Sequence, residues 1–153
     1  MQSLVPLTGD RFIGKSGANL NGSKVLTNWV TTNGYWTSSG NPAKNTPNTI
    51  FTCQSPGAAC TYPQDLYLNN VPLVHQLALP IVSGQWYFDY QHDLVYRADN
   101  PTGKTVELSV IAHAFGGSAD NVTVRGLIIE KYPRLCRLAP SNLRAPVGLF
   151  KIT

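Results

Sequence analysis

Val71-Pro-Leu-Val-His-Gln-Leu-Ala-Leu-Pro80, Gly84-Gln-Trp-Tyr-Phe-Asp-Tyr90, Lys104-Thr-Val-Glu-Leu-Ser-Val-Ile-Ala-His-Ala114 and Asn121-Val-Thr-Val-Arg-Gly-Leu-Ile-Ile-Glu-Lys-Tyr132 decide the fold. Each run is rich in β-branched and aromatic residues, and most of each alternates with the period of two that marks a half-buried strand. Leu73, His75, Leu77 and Leu79 are expected on one face, with Val74, Gln76 and Ala78 on the other. Trp86, Phe88 and Tyr90 share a face, as do Val106, Leu108, Val110, Ala112 and Ala114. Leu127-Ile-Ile129 breaks the alternation after Gly126, which predicts a bulge or a change in cover at that glycine. Between the runs lie turns, clearest at Asn100-Pro101 with Gly103. Short strands at such spacing predict an all-β sandwich of about eight strands.

The flanking sequence extends this pattern. Lys24 to Thr37 places β-branched and aromatic residues on both sides of Asn33-Gly34, a hairpin signal. Thr49–Cys53 and Asp65–Asn69 read as shorter strands. The chain has 153 residues, enough for one domain with an arm or tail. Hydrophobic residues make up 42%, so a core is expected, but charged residues only 13%, against about 25% in ordinary domains. The polar surface must come from Asn, Thr, Ser and Gln, which suit turns and the outer faces of strands.

Three units follow: an extended arm over 1–24, a sandwich over 25–133 and an irregular tail over 134–153. The arm is rich in Gly, Asn and Ser, with scattered Leu4, Val5, Leu7, Phe12 and Ile13. That apolar density is too low for a core and too high for a free tail, so the arm is expected to dock on something. Pro140 and Pro146 prevent a long helix in the tail. The tail carries Arg134, Arg137 and Arg144 and ends near Phe150, and those four residues join the five of the arm as expected partner contacts. The net charge is +4 and dispersed without a reading motif, so no nucleic-acid partner is expected. No run approaches the roughly 20 apolar residues of a membrane helix, and the opening residues lack the pattern of a secretory leader.

Several motifs compete with this reading. Gly9-Asp-Arg-Phe-Ile-Gly-Lys-Ser16 matches the phosphate-binding loop of nucleoside triphosphatases letter for letter. That loop needs a buried strand before it and a helix after it, so that helical amides face the phosphate. Gly17-Ala-Asn-Leu-Asn-Gly-Ser23 is hostile to helix, and an all-β chain has no place for one. His75, His92 and His113 lie on different segments with no nucleophile and orienting acid beside them, so no catalytic set is expected. Asp89, Asp93, Asp99 and Asn100 offer oxygen ligands without the compact spacing of a calcium loop, and no metal or other cofactor is expected. Cys53 and Cys60 bracket a turn that would allow either a disulfide or two separate thiols. Among the aromatics, Trp29, Tyr35 and Trp36 lie in a polar hairpin and are the candidates for stacking on sugar rings.

Asn28-Trp-Val-Thr-Thr-Asn-Gly-Tyr-Trp36, and Val74-His-Gln-Leu-Ala-Leu-Pro80 followed by Gly84-Gln-Trp-Tyr-Phe88, resemble segments of jelly-roll sandwiches of the carbohydrate-binding-module and galactose-binding-like type. The arm, the basic tail and the Asn-, Thr- and Gly-rich composition also resemble capsid decoration (cement) proteins and fibre-attachment proteins of phages and other viruses. The second resemblance implies a non-enzymatic virion protein, a homo-oligomer (a trimer) bound to the major capsid or other virion proteins at the capsid surface. The first implies the alternative, glycan binding through the exposed aromatics. Solution mass separates them: a stable trimer supports assembly, and a monomer with a glycan-array signal supports sugar binding.

Overall fold

The computed structural model describes residues 3–40, 62, 64–133 and the backbone of 151–152. Among them there is no helix. The strands are β1 (Arg11–Ile13), β2 (Asn19–Asn21), β3 (Ser23–Val25), β4 (Val30–Thr32), β5 (Tyr35–Ser39), β6 (Leu66–Leu68), β7 (Val71–Pro72), β8 (Val74–Gln76), β9 (Gln85–Asp89), β10 (Leu94–Arg97), β11 (Val106–Ser109), β12 (Thr123–Arg125), β13 (Ile128–Glu130) and β14 (Lys151–Ile152). Cys53, Cys60, Arg134, Arg137, Arg144, Phe150 and the expected strand over 49–53 lie outside the described residues.

Two sheets make the sandwich. One has the order β4-β5-β10-β9-β8 and the other β3-β11-β6-β7. All pairings in them are antiparallel except β8 with β9. Trp86, Phe88 and Val95 from the first sheet meet Leu66, Val106 and Leu108 from the second, with Leu26 between them. Removing an aromatic from such a core costs about 3–5 kcal/mol. Arg97 lies on the same side of β10 as Val95 and is also fully buried. Its charge is met by Asp99 at 3.7 Å and by the Trp29 ring at 6.0 Å.

The turns follow local chemistry. Asn33-Gly34, both with positive φ, closes the β4–β5 hairpin, and Asn69-Asn70 does the same between β6 and β7. The structure departs from the sequence expectation at 71–80, which is not one strand. β7 pairs with β6 in one sheet, and β8 pairs with β9 in the other. The chain changes sheets at Leu73, which packs on the core while its N–H donates to the Leu66 carbonyl at 2.8 Å. Leu77 and Leu79, expected inward, are exposed because the strand ends at Gln76. Strand β11 spans only Val106–Ser109 of the longer run expected. The unforeseen β10 pairs with both β5 and β9.

The segment expected as an arm is extended and docks on its own chain. β1 runs parallel to β12, and β2 runs parallel to β13. Upstream, Leu4 bridges Phe115, and the Phe12 ring meets the Phe115 ring edge-on with centroids 5.1 Å apart. The two segments bend together at Gly14 and Gly126. A Cβ on Gly14 would lie 2.2 Å from the Gly126 carbonyl oxygen, and one on Gly126 would lie 2.8 Å from that of Gly14. Gly126 thus ends one strand before the next begins, which accounts for the lost alternation. The same contact explains a glycine of the phosphate-loop pattern as a backbone crossing. After it comes a turn in which the Ala18 N–H donates to the Lys15 carbonyl at 2.9 Å, and then β2, with no helix to face a phosphate. In the tail, β14 runs parallel to β12.

Gly14→Ala is expected to lower stability by about 2–3 kcal/mol, because the added methyl meets backbone that cannot rotate away. Gly103→Ala, with open space around a positive φ, is expected to cost about 1 kcal/mol. Urea denaturation of the two variants checks the order.

Candidate functional site

Strand pairing divides the side chains of the five-stranded sheet between its two faces. Directly opposed residues share a face. Trp36, Arg97, Trp86 and His75 are in register across β5, β10, β9 and β8 and lie on the core side. Thr37, Tyr96, Tyr87 and Gln76 are the adjacent row and lie on the opposite side. Tyr35, two residues before Thr37, joins that outer face. The outcome is a row of half-buried tyrosines across three strands. Tyr35 meets Tyr96 edge-on at 6.4 Å, and Tyr96 meets Tyr87 at 5.7 Å.

At its β8 end the row runs into a cleft of about 270 Å³ lined by Tyr62, His75, Gln76, Leu77, Tyr87, Phe88, Asp89, Tyr90 and Gln91. One wall is stacked aromatics. Tyr62 lies on Tyr90 with centroids 4.4 Å apart, and His75 lies on Trp86 at 3.9 Å. The Tyr90 hydroxyl donates to Gln64 Oε1 at 2.6 Å, which fixes that ring. The polar lining is Gln76, Gln91 and Asp89. Asp89 accepts the N–H groups of Gln91 and His92 and sits 2.7 Å from His92 Nδ1. Burial alone would raise the Asp89 pKa. The hydrogen bonds from His92 and Gln91 and the charge of His92 outweigh it and hold the carboxyl below its usual value. Tyr87 and Tyr90 are both pushed up, chiefly by burial, and stay neutral hydroxyl donors. The cleft therefore offers ring faces, amides and one carboxylate. No group of three His, Cys, Asp or Glu side chains among the described residues could hold a metal ion.

The sequence candidates are dispersed across the fold. Tyr35 stands in the outer row. Trp29 is partly buried against the core, donates from Nε1 to the Leu26 carbonyl at 3.2 Å, and has Arg97 over its ring. Trp36 lies on the core side, in register with Arg97. Leu4 and Phe12 contact Phe115 of the same chain, whereas Val5, Leu7 and Ile13 are exposed. The sequence reading did not single out Tyr96, Tyr87, Tyr62, Gln76 or Gln91 as a site. For Tyr96 the signal was the alternation in Leu94-Val-Tyr-Arg97, hidden because the inward residue after it is an arginine.

Fold and site together define an all-β sandwich with a tyrosine-lined face and cleft. No protein-family model and no curated protein matches the chain. A solved structure described as "The complex structure of XylC with xylose" superposes with a TM-score of 0.49 at 17% identity, over 85% of this chain and 30% of that one. The chain thus spans less than a third of that protein's length.

The cleft also carries a pH dependence. Burial lowers the His75 pKa from 6.5 to about 4, against weaker opposing hydrogen bonding at the Gln64 and Tyr62 backbone. The folded state thus favours the neutral ring while the unfolded chain binds a proton below 6.5. Stability is complete above that pH and declines as pH falls from 6.5 to about 4, by at most about 3 kcal/mol. His75→Phe keeps the stack on Trp86 and is expected to flatten this slope in denaturation midpoints between pH 7 and 4.

Proposed function

We infer that the protein is a non-catalytic binding module that takes a neutral saccharide along the Tyr35–Tyr96–Tyr87 row and in the adjoining cleft. The observation that carries this reading is the meeting of a tyrosine row with an amide- and carboxylate-lined cleft on one sheet. A sugar ring has apolar C–H faces and a rim of hydroxyls. Aromatic faces exclude water from the first, while Gln76, Gln91 and Asp89 exchange hydrogen bonds with the second. Among the described residues that line the cleft there is no lysine or arginine, which favours an uncharged ligand over an acidic one.

A glycan array followed by calorimetry tests the reading. Tyr87→Ala and Tyr96→Ala are each expected to weaken binding about 10-fold or more, a loss of 1–2 kcal/mol per ring. Trp29→Phe, away from the row, is expected to leave affinity unchanged. Binding that survives both tyrosine substitutions in folded protein overturns the assignment.

Oligomeric attachment to a particle is a second reading, favoured by the exposure of Val5, Leu7 and Ile13 on the N-terminal flank. Light scattering is expected to give a trimer under that reading, and a monomer removes it.

A further inference from the structure

Polar side chains converge on the face of β11 that turns away from the core, where the flank of β1, β2, β12 and β13 meets the sandwich. At their centre is Glu107, in register with Tyr67 of β6 and therefore on the same face as it. Ser23 Oγ donates to Glu107 Oε1 at 2.8 Å, Asn21 Nδ2 lies 3.5 Å from the same oxygen, and Lys131 Nζ contacts Oε2. The same Nζ donates to Asn70 Oδ1 at 2.5 Å, and the Tyr67 ring lies 5.7 Å from it. The Lys131 and Glu107 side chains are only 7% and 9% exposed, a depth that such residues take when paired.

Two backbone bends bring these groups together. Asn70 is the second residue of the β6–β7 turn, with a φ of 66°, and Lys131 follows β13 with a φ of 57°. That left-handed conformation is uncommon for lysine, and here it accompanies the bend from the end of β13 toward Glu107. One nitrogen thus has a carboxamide on one side and a carboxylate on the other. Asn70 Cγ is one C=O bond of about 1.2 Å beyond Oδ1, so Nζ is at most about 3.7 Å from it and nearer on any bent approach. Atoms poised to react lie about 3–3.5 Å apart, and holding them there is worth an effective concentration of about 10⁵–10⁸ M. An amide is a sluggish electrophile and needs that advantage.

We propose that Lys131 and Asn70 join in an intramolecular amide cross-link, with Glu107 as the proton carrier, which fastens the end of β13 to the β6–β7 turn of the sandwich. Glu107 accepts a proton from Lys131 as Nζ attacks Asn70 Cγ, and the carbonyl π pair moves to Oδ1. Glu107 passes that proton to Asn70 Nδ2. The Cγ–Nδ2 bond breaks with its electron pair going to nitrogen, and the carbonyl re-forms. A second proton from Nζ leaves with the departing nitrogen as ammonium, and Glu107 ends as the carboxylate it began as. No electrons are exchanged with any outside group. Ser23 and Asn21 are positioning residues that hold Oε1, leaving Oε2 to Lys131. The cross-link is independent of the saccharide reading.

Intact-mass spectrometry of the purified full chain, followed by digestion and fragmentation, tests the proposal. The folded chain is expected to be lighter than its sequence by one ammonia, about 17 Da, and to release a branched peptide joining Lys131 to Asn70. Lys131→Arg keeps the charge without a competent amine, and Asn70→Ala removes the carboxamide. Both are expected to show no ammonia loss and no branch. Glu107→Gln, shown to be folded by circular dichroism, is expected to lack the branch as well. Folded wild-type protein at its full sequence mass without a branched peptide overturns the proposal, whether or not any variant folds. A loss that persists in Lys131→Arg also overturns it, since cyclisation at Gln2 or a succinimide at Asn33-Gly34 sheds the same mass without joining two peptides. A branch in folded Glu107→Gln overturns the role given to that carboxylate.

Discussion

The carboxylate of Glu107 joins the two halves of this structure. It projects from β11 on the side away from the sandwich core and is nearly buried there. Ser23 Oγ donates to it at 2.8 Å, Asn21 Nδ2 lies at 3.5 Å, and the Lys131 ammonium closes on its other oxygen. Lys131 also reaches Asn70 and sits over the Tyr67 ring at 5.7 Å. One carboxylate therefore ties an inner strand of the four-stranded sheet to both the first segment of the chain and the residue after β13. Burial would raise its pKa. The hydrogen bonds from Lys131 and Ser23, the Lys131 charge and Asn21 overcome that and hold it below the usual value. Losing one partner of such a pair leaves an uncompensated buried charge, at a cost of about 3–5 kcal/mol.

That junction explains why β11 is buried on both faces. Val106 and Leu108 enter the core, while Glu107 and Ser109 are covered from outside, where the Ser109 hydroxyl accepts from the Asp65 N–H at 2.7 Å. The five-stranded sheet has a different arrangement. Its core face is covered by the opposing sheet, but its outer face keeps Tyr35, Tyr96 and Tyr87 half exposed. The cleft forms at the β8 end of that sheet, where the strand stops at Gln76. The flank braces one sheet, and the tyrosines of the other sheet's outer face stay half exposed.

Much of the sandwich was legible in the residue pattern, because side-chain alternation is a local consequence of pleating. Trp86 and Phe88, Val106 and Leu108, and the Asn33-Gly34 hairpin could be read in this way. The crossing at Leu73 could not. Val71 to Leu79 alternates as one strand, and only competition between two sheets for its two ends divides it. β10 escaped because Arg97 is an inward residue whose burial depends on Asp99 and Trp29, partners that local sequence does not announce. The tyrosine row was illegible for the same reason, since it needs the register of β5, β10 and β9 together.

The sequence by itself determined that the chain is all-β, that its central strands present one apolar face, and that no helix follows Gly14-Lys15-Ser16. Those are local matters of φ, ψ and pleat, set by residues a few positions apart. Tertiary structure alone decided what the first residues dock on, why Gly14 and Gly126 are glycines, and which aromatics share a surface. Each of those depends on contacts between segments more than 50 residues apart, such as Arg11 with Thr123 and Tyr35 with Tyr96. Edge strands carry unpaired N–H and C=O groups whatever their side chains, so an extended segment shows that it must pair and leaves its partner to the assembled fold.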